Sequence, residues 1–160
     1  MTVTGTPRKF QKKFAFVVEI DRVGSPRFTK QSELSAEVAK VEQWEGGSLI
    51  PDKSPGRVTT TDVTWERGVA DGDSDLYKWW LDVVRMSANK GLVTPLYKRQ
   101  IDSVQLDRDT TPLRRWIIDG AWPTKFVAGD WDNEADENVV EAMTCTYDTF
   151  ELFDLSGGGG

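Results

Sequence analysis

The 160-residue sequence contains no histidine and a single cysteine, Cys145. Without histidine there is no His-based zinc or non-haem iron site and no Ser-His or Cys-His nucleophile. One cysteine makes neither an intrachain disulfide nor a thiolate cage, which fits a reducing compartment. No apolar run approaches the ~18 residues of a membrane span, and no signal-peptide core follows the basic N-terminus. The expectation is a protein made in the cytoplasm without Sec-type export and with no membrane anchor. Basic residues also run out early. None follows Lys125, so residues 126–160 carry nine acids and a charge of −9, while the first 125 residues carry +3. The overall charge of −6 is opposite in sign to the footprint that duplex nucleic acid requires. So one-sided a distribution is either a solvated acidic face or one half of a head-to-tail contact between acidic and basic ends.

What is present is the composition of one globular domain, 38% hydrophobic and 29% charged, with a length that fits a single core. The domain is expected over 12–155, between an N-terminal arm (1–11) and a flexible glycine tail (156–160). Lys13 to Asp21 alternates Phe14, Phe16, Val18 and Ile20 on one face and reads as a buried strand. Leu34 to Glu45 keeps period two except at Val38 and Ala39, which suggests a bulge, and Gly46 and Gly47 end it. The segment GGSLIPDKSPGR (46–57) then reads as a long loop with Leu49 and Ile50 as an apolar tip. Val58 to Glu66 reads as one strand with a polar face of Thr60, Asp62, Thr64 and Glu66. One helix is predicted, capped by Asp73 or Ser74 and ending near Ala88 to Gly91, with Leu76, Trp79, Trp80, Val83 and Val84 as its apolar stripe. Strands follow over Arg99–Leu106, Leu113–Trp122, Lys125–Trp131 and Asn138–Phe153. One helix among about seven strands predicts a mainly β fold, an antiparallel sandwich or barrel with one flanking helix.

Chemistry is hard to find in this sequence. Asp71, Asp73 and Asp75 lie at a helix N-terminus, where acids answer the free amides and the dipole. Asp130 and Asp132 lack the glycine-containing ligand loop of a calcium site. No phosphate loop follows Gly46 and Gly47. Neither a catalytic residue, a metal site nor a cofactor is therefore assigned, and Cys145 reads as a small buried hydrophobe. The main excess is seven tryptophans. Trp65, Trp79 and Trp116 read as core, and Trp44, Trp80, Trp122 and Trp131 are left for an interface, where the residue is enriched. A carbohydrate-binding sandwich, with aromatics stacked on sugars, is the alternative reading of the same residues.

The succession FVVEID (16–21), EGG (45–47), VTWERGV (63–69), DLYKWW (75–80) and WIIDGAWPTKF (116–126) resembles the tail tube protein family of contractile-tailed phages and related contractile injection systems, over roughly residues 10–153. Its strongest parts are Arg67 and Gly68 before the helix that carries Trp79, and Trp116 with Ala121, Trp122, Pro123 and Lys125. The resemblance implies a non-enzymatic subunit that closes into six-membered rings, which stack into a hollow tube inside a sheath. Its implied partners are further copies of itself, the sheath, baseplate and cap proteins of the same particle, and cargo in the lumen. The particle is a phage tail or a released tail-like device.

The resemblance further implies that the loop after the second strand reaches neighbouring subunits. Gly46, Gly47, Leu49, Ile50, Lys53 and Arg57 are then candidates for ring stacking, with Lys53 and Arg57 facing acids of the segment Asp130–Glu141. Thr60, Asp62, Thr64 and Glu66 are the candidate lumen face. Arg22 stands where glycine commonly follows the Ile-Asp pair, which predicts a different first turn. Asp119 and Gly120 also depart from the more usual residues.

Overall fold

A computed structural model describes residues 10, 12, 13, 15–88 and 97–154; the N-terminal arm and the glycine tail lie almost wholly outside them. Among the described residues nine strands and one helix follow in the order β1 (Phe16–Ile20), β2 (Lys30–Gln31), β3 (Ala36–Gln43), β4 (Asp52–Thr60), β5 (Val63–Gly68), α1 (Asp75–Ser87), β6 (Arg99–Leu106), β7 (Pro112–Val127), β8 (Val140–Thr146) and β9 (Thr149–Asp154). The architecture is mainly β and antiparallel with a single helix, as the alternation predicts.

Seven strands form one sheet in the order β1-β6-β7-β8-β5-β2, with β9 also on β7. The sixteen residues of β7 organise it. The run Leu113–Trp122 does not stop at Pro123, as the sequence suggests, but continues to Val127. Proline has no N–H for a ladder, and here Pro123 is accommodated beside a register shift between Pro123 and Lys125. Along one edge of β7 lie β8 and then β9 in line: Trp122 pairs with Thr146 and Asp119 with Thr149. The predicted run Asn138–Phe153 is thus one track, interrupted at Tyr147 and Asp148. Opposite that break Gly120 has φ 68. A Cβ there would lie 2.1 Å from the Asp148 carboxylate, so any other residue would have to displace that side chain and hold a backbone conformation that favours glycine. Both tracks bend together at this point. The half of β7 before the bend carries β6 and β1 on one edge and β9 on the other, and the half after it carries β8, β5 and β2, so two layers face each other.

The core between them is built from alternate positions. Val63 and Trp65 of β5, Met143 and Cys145 of β8, Ile101 of β6 and Ile118 of β7 have no exposure, and Val18 and Ile20 of β1 almost none. The helix adds Leu76 and Trp79, also fully buried, while Trp80 and Val83 are half-buried and Val84 is exposed. Trp79 donates its Nε1–H to the carbonyl of Tyr97 at 2.8 Å, which satisfies the one polar atom that burying it strands. Ser74 occupies the N-cap position without a side-chain cap bond. Asp73 instead accepts the Ala70 N–H at 2.9 Å and closes the preceding turn.

The second sheet is a separate ribbon of β3 and β4. This corrects the reading of 46–57 as a loop: the connection is 44–51, and DKSPGR belongs to β4. The bulge falls where Val38 and Ala39 place it, between Val38 and Lys40. Val38 pairs with Val58 and Lys40 with Pro55, so the extra residue is on β4. There a Cβ on Gly56 would meet the Ala39 carbonyl oxygen at 2.9 Å. The run Val58–Glu66 is likewise two elements, broken at Thr61 and Asp62 where the chain leaves the ribbon for the body. The first turn carries Arg22 in a conformation that suits glycine. Arg22 has φ 64, the left-handed region that glycine occupies freely, and Ile20 bridges Gly24 across it.

Candidate assembly surfaces

Every residue of β3 and all of β4 but Thr60 is exposed. At the tip Leu49 is 94% and Ile50 77% exposed. The tip is nonetheless ordered by its own bonds: Ser48 Oγ donates to the Ile50 carbonyl at 2.6 Å, and the Ser48 N–H donates to the Glu45 carbonyl at 3.0 Å. Gly46 and Gly47 form the turn, Gly47 with φ 86. Trp44 at the base of the tip, and Val38, Val41 and Val58 along the strands, are exposed as well. Lys53 stands opposite Glu42 across the ribbon, and Arg57 lies at the bulge.

Two further surfaces belong to the body. Among the described strands β1 pairs only with β6 and β9 only with β7, so the outer edge of each is free for backbone pairing. The candidate lumen residues divide. Thr64 and Glu66 share the outward face of β5, where Thr64 Oγ1 meets Thr144 Oγ1 at 2.9 Å and Glu66 stands opposite Lys30 and Ala142. Asp62 is in the turn, and Thr60 ends β4, its hydroxyl 3.5 Å from the Tyr147 carbonyl.

The motif residues around Arg67 have an internal task. The side chain of Arg67 is 4% exposed. Its Nε donates to Glu141 Oε1 and its Nη2 to Asp75 Oδ1, the latter at 2.6 Å. One guanidinium thereby ties β5, β8 and the first turn of α1. Burial raises the pKa of Asp75, but the hydrogen bond and charge of Arg67 outweigh it and hold the carboxyl below its ordinary value. Burial works against the Arg67 charge as well, and its bonds to Asp75 and Glu141 overcome that and raise its pKa. Glu141 therefore leaves the acidic segment expected to face Lys53 and Arg57, because it is buried and engaged. The sequence carried only the Arg67 half of this contact, since Glu141 lies 74 residues away.

Of the other motif residues, Ala121 and Pro123 are buried, Trp122 packs edge-on to Tyr97 with centroids 6.1 Å apart, and Gly68 and Lys125 are exposed. Trp116 is not the core residue its neighbours Ile117 and Ile118 suggest. It is half-buried in β7 between β6 and β9, edge-on to Phe150 and under the Arg114 guanidinium at 5.0 Å. Cys145 is fully buried, and burial pushes its thiol pKa up, so it is inert packing. Among the described residues no group of three or more Asp, Glu or Cys is placed to hold a metal, and no helix is long and apolar enough to cross a membrane.

The model of the T4-like virus tail tube protein gp19 family matches residues 12–151. No curated protein sequence matches the chain. Among solved structures, the anti-feeding prophage tube terminating cap is similar at TM-score 0.77 and 20% identity, covering 95% of this chain and 96% of that one. The sheath-tube complex of an extracellular contractile injection system, PVC, in its extended state matches at TM-score 0.75 and 20% identity, covering 91% and 92%. Hcp1 from Flavobacterium johnsoniae matches more distantly, at TM-score 0.53 and 14% identity over 91% and 97%.

Proposed function

Because this chain belongs to the T4-like virus tail tube protein gp19 family, we propose that its subunits close into six-membered rings and that these stack into a hollow tube. The chain is a structural tube protein and not an enzyme. The tube is driven by a surrounding sheath through a target envelope and conducts cargo, and it is completed by the baseplate and cap proteins of the same particle. Synthesis is cytoplasmic, and the finished particle is a phage tail or a released tail-like device.

The observation that carries this reading is the ribbon, which offers apolar residues at its tip and along its strands and buries none of them in its own subunit. Such a surface is costly on an isolated protein and is explained by a partner. Leu49 and Ile50 are the anchors of the stacking contact, with Gly46 and Gly47 shaping the tip. Lateral closure uses the free edges of β1 and β9, since pairing around a ring covers an edge that otherwise invites aggregation. The lumen is lined by the outward face that carries Thr64 and Glu66, with Thr60 and Asp62 at its margin.

Negative-stain microscopy of the purified chain tests the proposal. Rings or tubes are expected. A monodisperse monomer at high concentration, above all one that binds glycans through Trp44 or Trp131, overturns it.

A further inference from the structure

Two arginines flank α1 and are compensated unequally. Arg67 has two carboxylates. The Arg99 side chain, 10% exposed, has one long contact, from Nη2 to the half-exposed Asp82 at 3.3 Å. Its guanidinium lies over the Trp79 ring at 5.2 Å. Its Nε is closed off from solvent with no acceptor among the described residues. Burial, helped by the repulsion of Arg22, pulls the Arg99 pKa below its ordinary value against the attraction of Asp82 and Asp21. The two guanidinium groups are thus shifted in opposite directions, and Arg99 is the one short of negative charge.

Arg99 lines a pocket of about 370 Å³ together with Arg22, Lys78 and the N-terminal end of α1. Asp82 and Asp75 are the acids of its lining, and Asp75 is already bonded to Arg67. Three cations and the positive end of a helix therefore converge on a site whose remaining counter-charges are two exposed carboxylates, Asp82 at Arg99 and, outside the lining, Asp21 at 3.9 Å from Arg22.

We propose that this pocket receives a carboxylate side chain from the acidic loop 130–137 of a second copy, an inference that rests on the self-assembly proposed above. The loop joins β7 to β8 and is exposed throughout. Its five acids, Asp130, Asp132, Glu134, Asp136 and Glu137, have no cationic partner among the described residues. The loop contributes nothing to the pocket of its own subunit. It is also shaped, since Asp132 Oδ1 accepts the Glu134 N–H at 3.0 Å and the Asp132 carbonyl accepts the Ala135 N–H at 3.2 Å. The pocket is a better match than the ribbon cations. Lys53 and Arg57 lie exposed on an open ribbon, where charge pairs are screened by water, whereas an ion pair at the desolvated Arg99 is screened far less.

The test uses the full chain, with negative-stain microscopy and sedimentation as readouts and the melting of each variant as a check on folding. One variant reverses the pocket rim by Arg22→Glu with Lys78→Glu. A second reverses the loop by Glu134→Lys, Asp136→Lys and Glu137→Lys. A third combines both in one chain. The wild type assembles, each reversal alone loses its tubes, and the combined chain recovers them. Tubes from either single reversal overturn the assignment, as does a combined chain that stays unassembled. So does recovery when the loop reversal is paired with Lys53→Glu and Arg57→Glu instead. If the pocket variant unfolds, the loop reversal decides alone, because it changes only an exposed connection. A wild type that forms neither rings nor tubes rejects self-assembly itself and the pocket's occupant with it, a result distinct from the loss of assembly in the variants alone.

Discussion

Body and ribbon are made from the same antiparallel pairing and differ in what covers them. On β5 and β8 every second side chain is buried, so each strand is fixed by packing on one face and wet on the other. On β3 and β4 both faces are open, and Val38, Val41, Val58, Leu49 and Ile50 are all exposed, Leu49 and Ile50 the most. An isolated two-stranded ribbon is marginal in water. The body buries its apolar residues within the subunit, whereas the ribbon leaves its own exposed. Substitutions in the two regions should therefore separate folding from assembly, and the following are ordered by their expected effect on the stability of the monomer.

Trp79→Ala opens the largest hole, beneath the helix and among residues with no exposure. It should cost ~3 to 5 kcal/mol, much of a small domain's stability. Trp116→Ala, at a half-buried position, should cost less than half as much. Chemical denaturation of both monomers measures the difference, and equal losses would show that the core extends further than the fully buried residues mark.

Glu141→Gln keeps the shape of the Arg67 contact and removes a charge from it, at ~1.5 to 3 kcal/mol for a hydrogen bond to a charged group. The same cluster sets an acid response. The folded pKa of Asp75 lies below its unfolded value of ~3.9. Its contribution is therefore present above that pH and is lost as pH falls through the folded value. Asp75→Asn should flatten the acid limb of stability below about pH 4. An unchanged limb would place the acid sensitivity elsewhere.

These contacts also show what a sequence discloses. The bounds of β6 and the buried Leu76 and Trp79 of α1 follow from periodicity, because one partner surface imposes one period, but the predicted stripe is too wide: Trp80 and Val83 are half-buried and Val84 is exposed. The ribbon was hidden because Pro55 and Gly56 in β4 look like loop residues, and the strand exists through β3, which supplies the pairing. Pro123 broke β7 on paper and does not break it in the fold, since a register shift takes up the missing donor. β2 has two residues, too few for any period. The surfaces proposed for assembly were legible only as apolar residues lacking a reason to be in a loop, and the Arg99 pocket was not legible at all, because β1, α1 and β6 must first be brought together.

Cys145→Ser tests a quieter part of the body. It buries a hydroxyl where the thiol makes no polar contact, at ~1 to 3 kcal/mol. Assembly per folded subunit should be unchanged, since the thiol itself has no exposure. Loss of tubes from a variant that still folds would give the sulfur a role beyond packing.

The smallest effect on the monomer and the largest on function should come from Leu49→Asp with Ile50→Asp. Both side chains are already in water, so replacing them removes no burial and should move monomer stability by less than about 0.5 kcal/mol. The tip keeps its shape, because it is held by Ser48 and the turn at Gly46 and Gly47 and not by either apolar side chain. In a stacked tube the same two positions pass from water into contact. Two carboxylates there must be desolvated without a partner, a penalty repeated at every subunit of every ring. Rings should persist if closure depends on β1 and β9, while stacking fails, and microscopy at matched concentration separates the two. Long tubes from the double variant would remove the tip from the stacking contact. Loss of the rings as well would show that the ribbon reaches sideways within a ring and not along the tube axis.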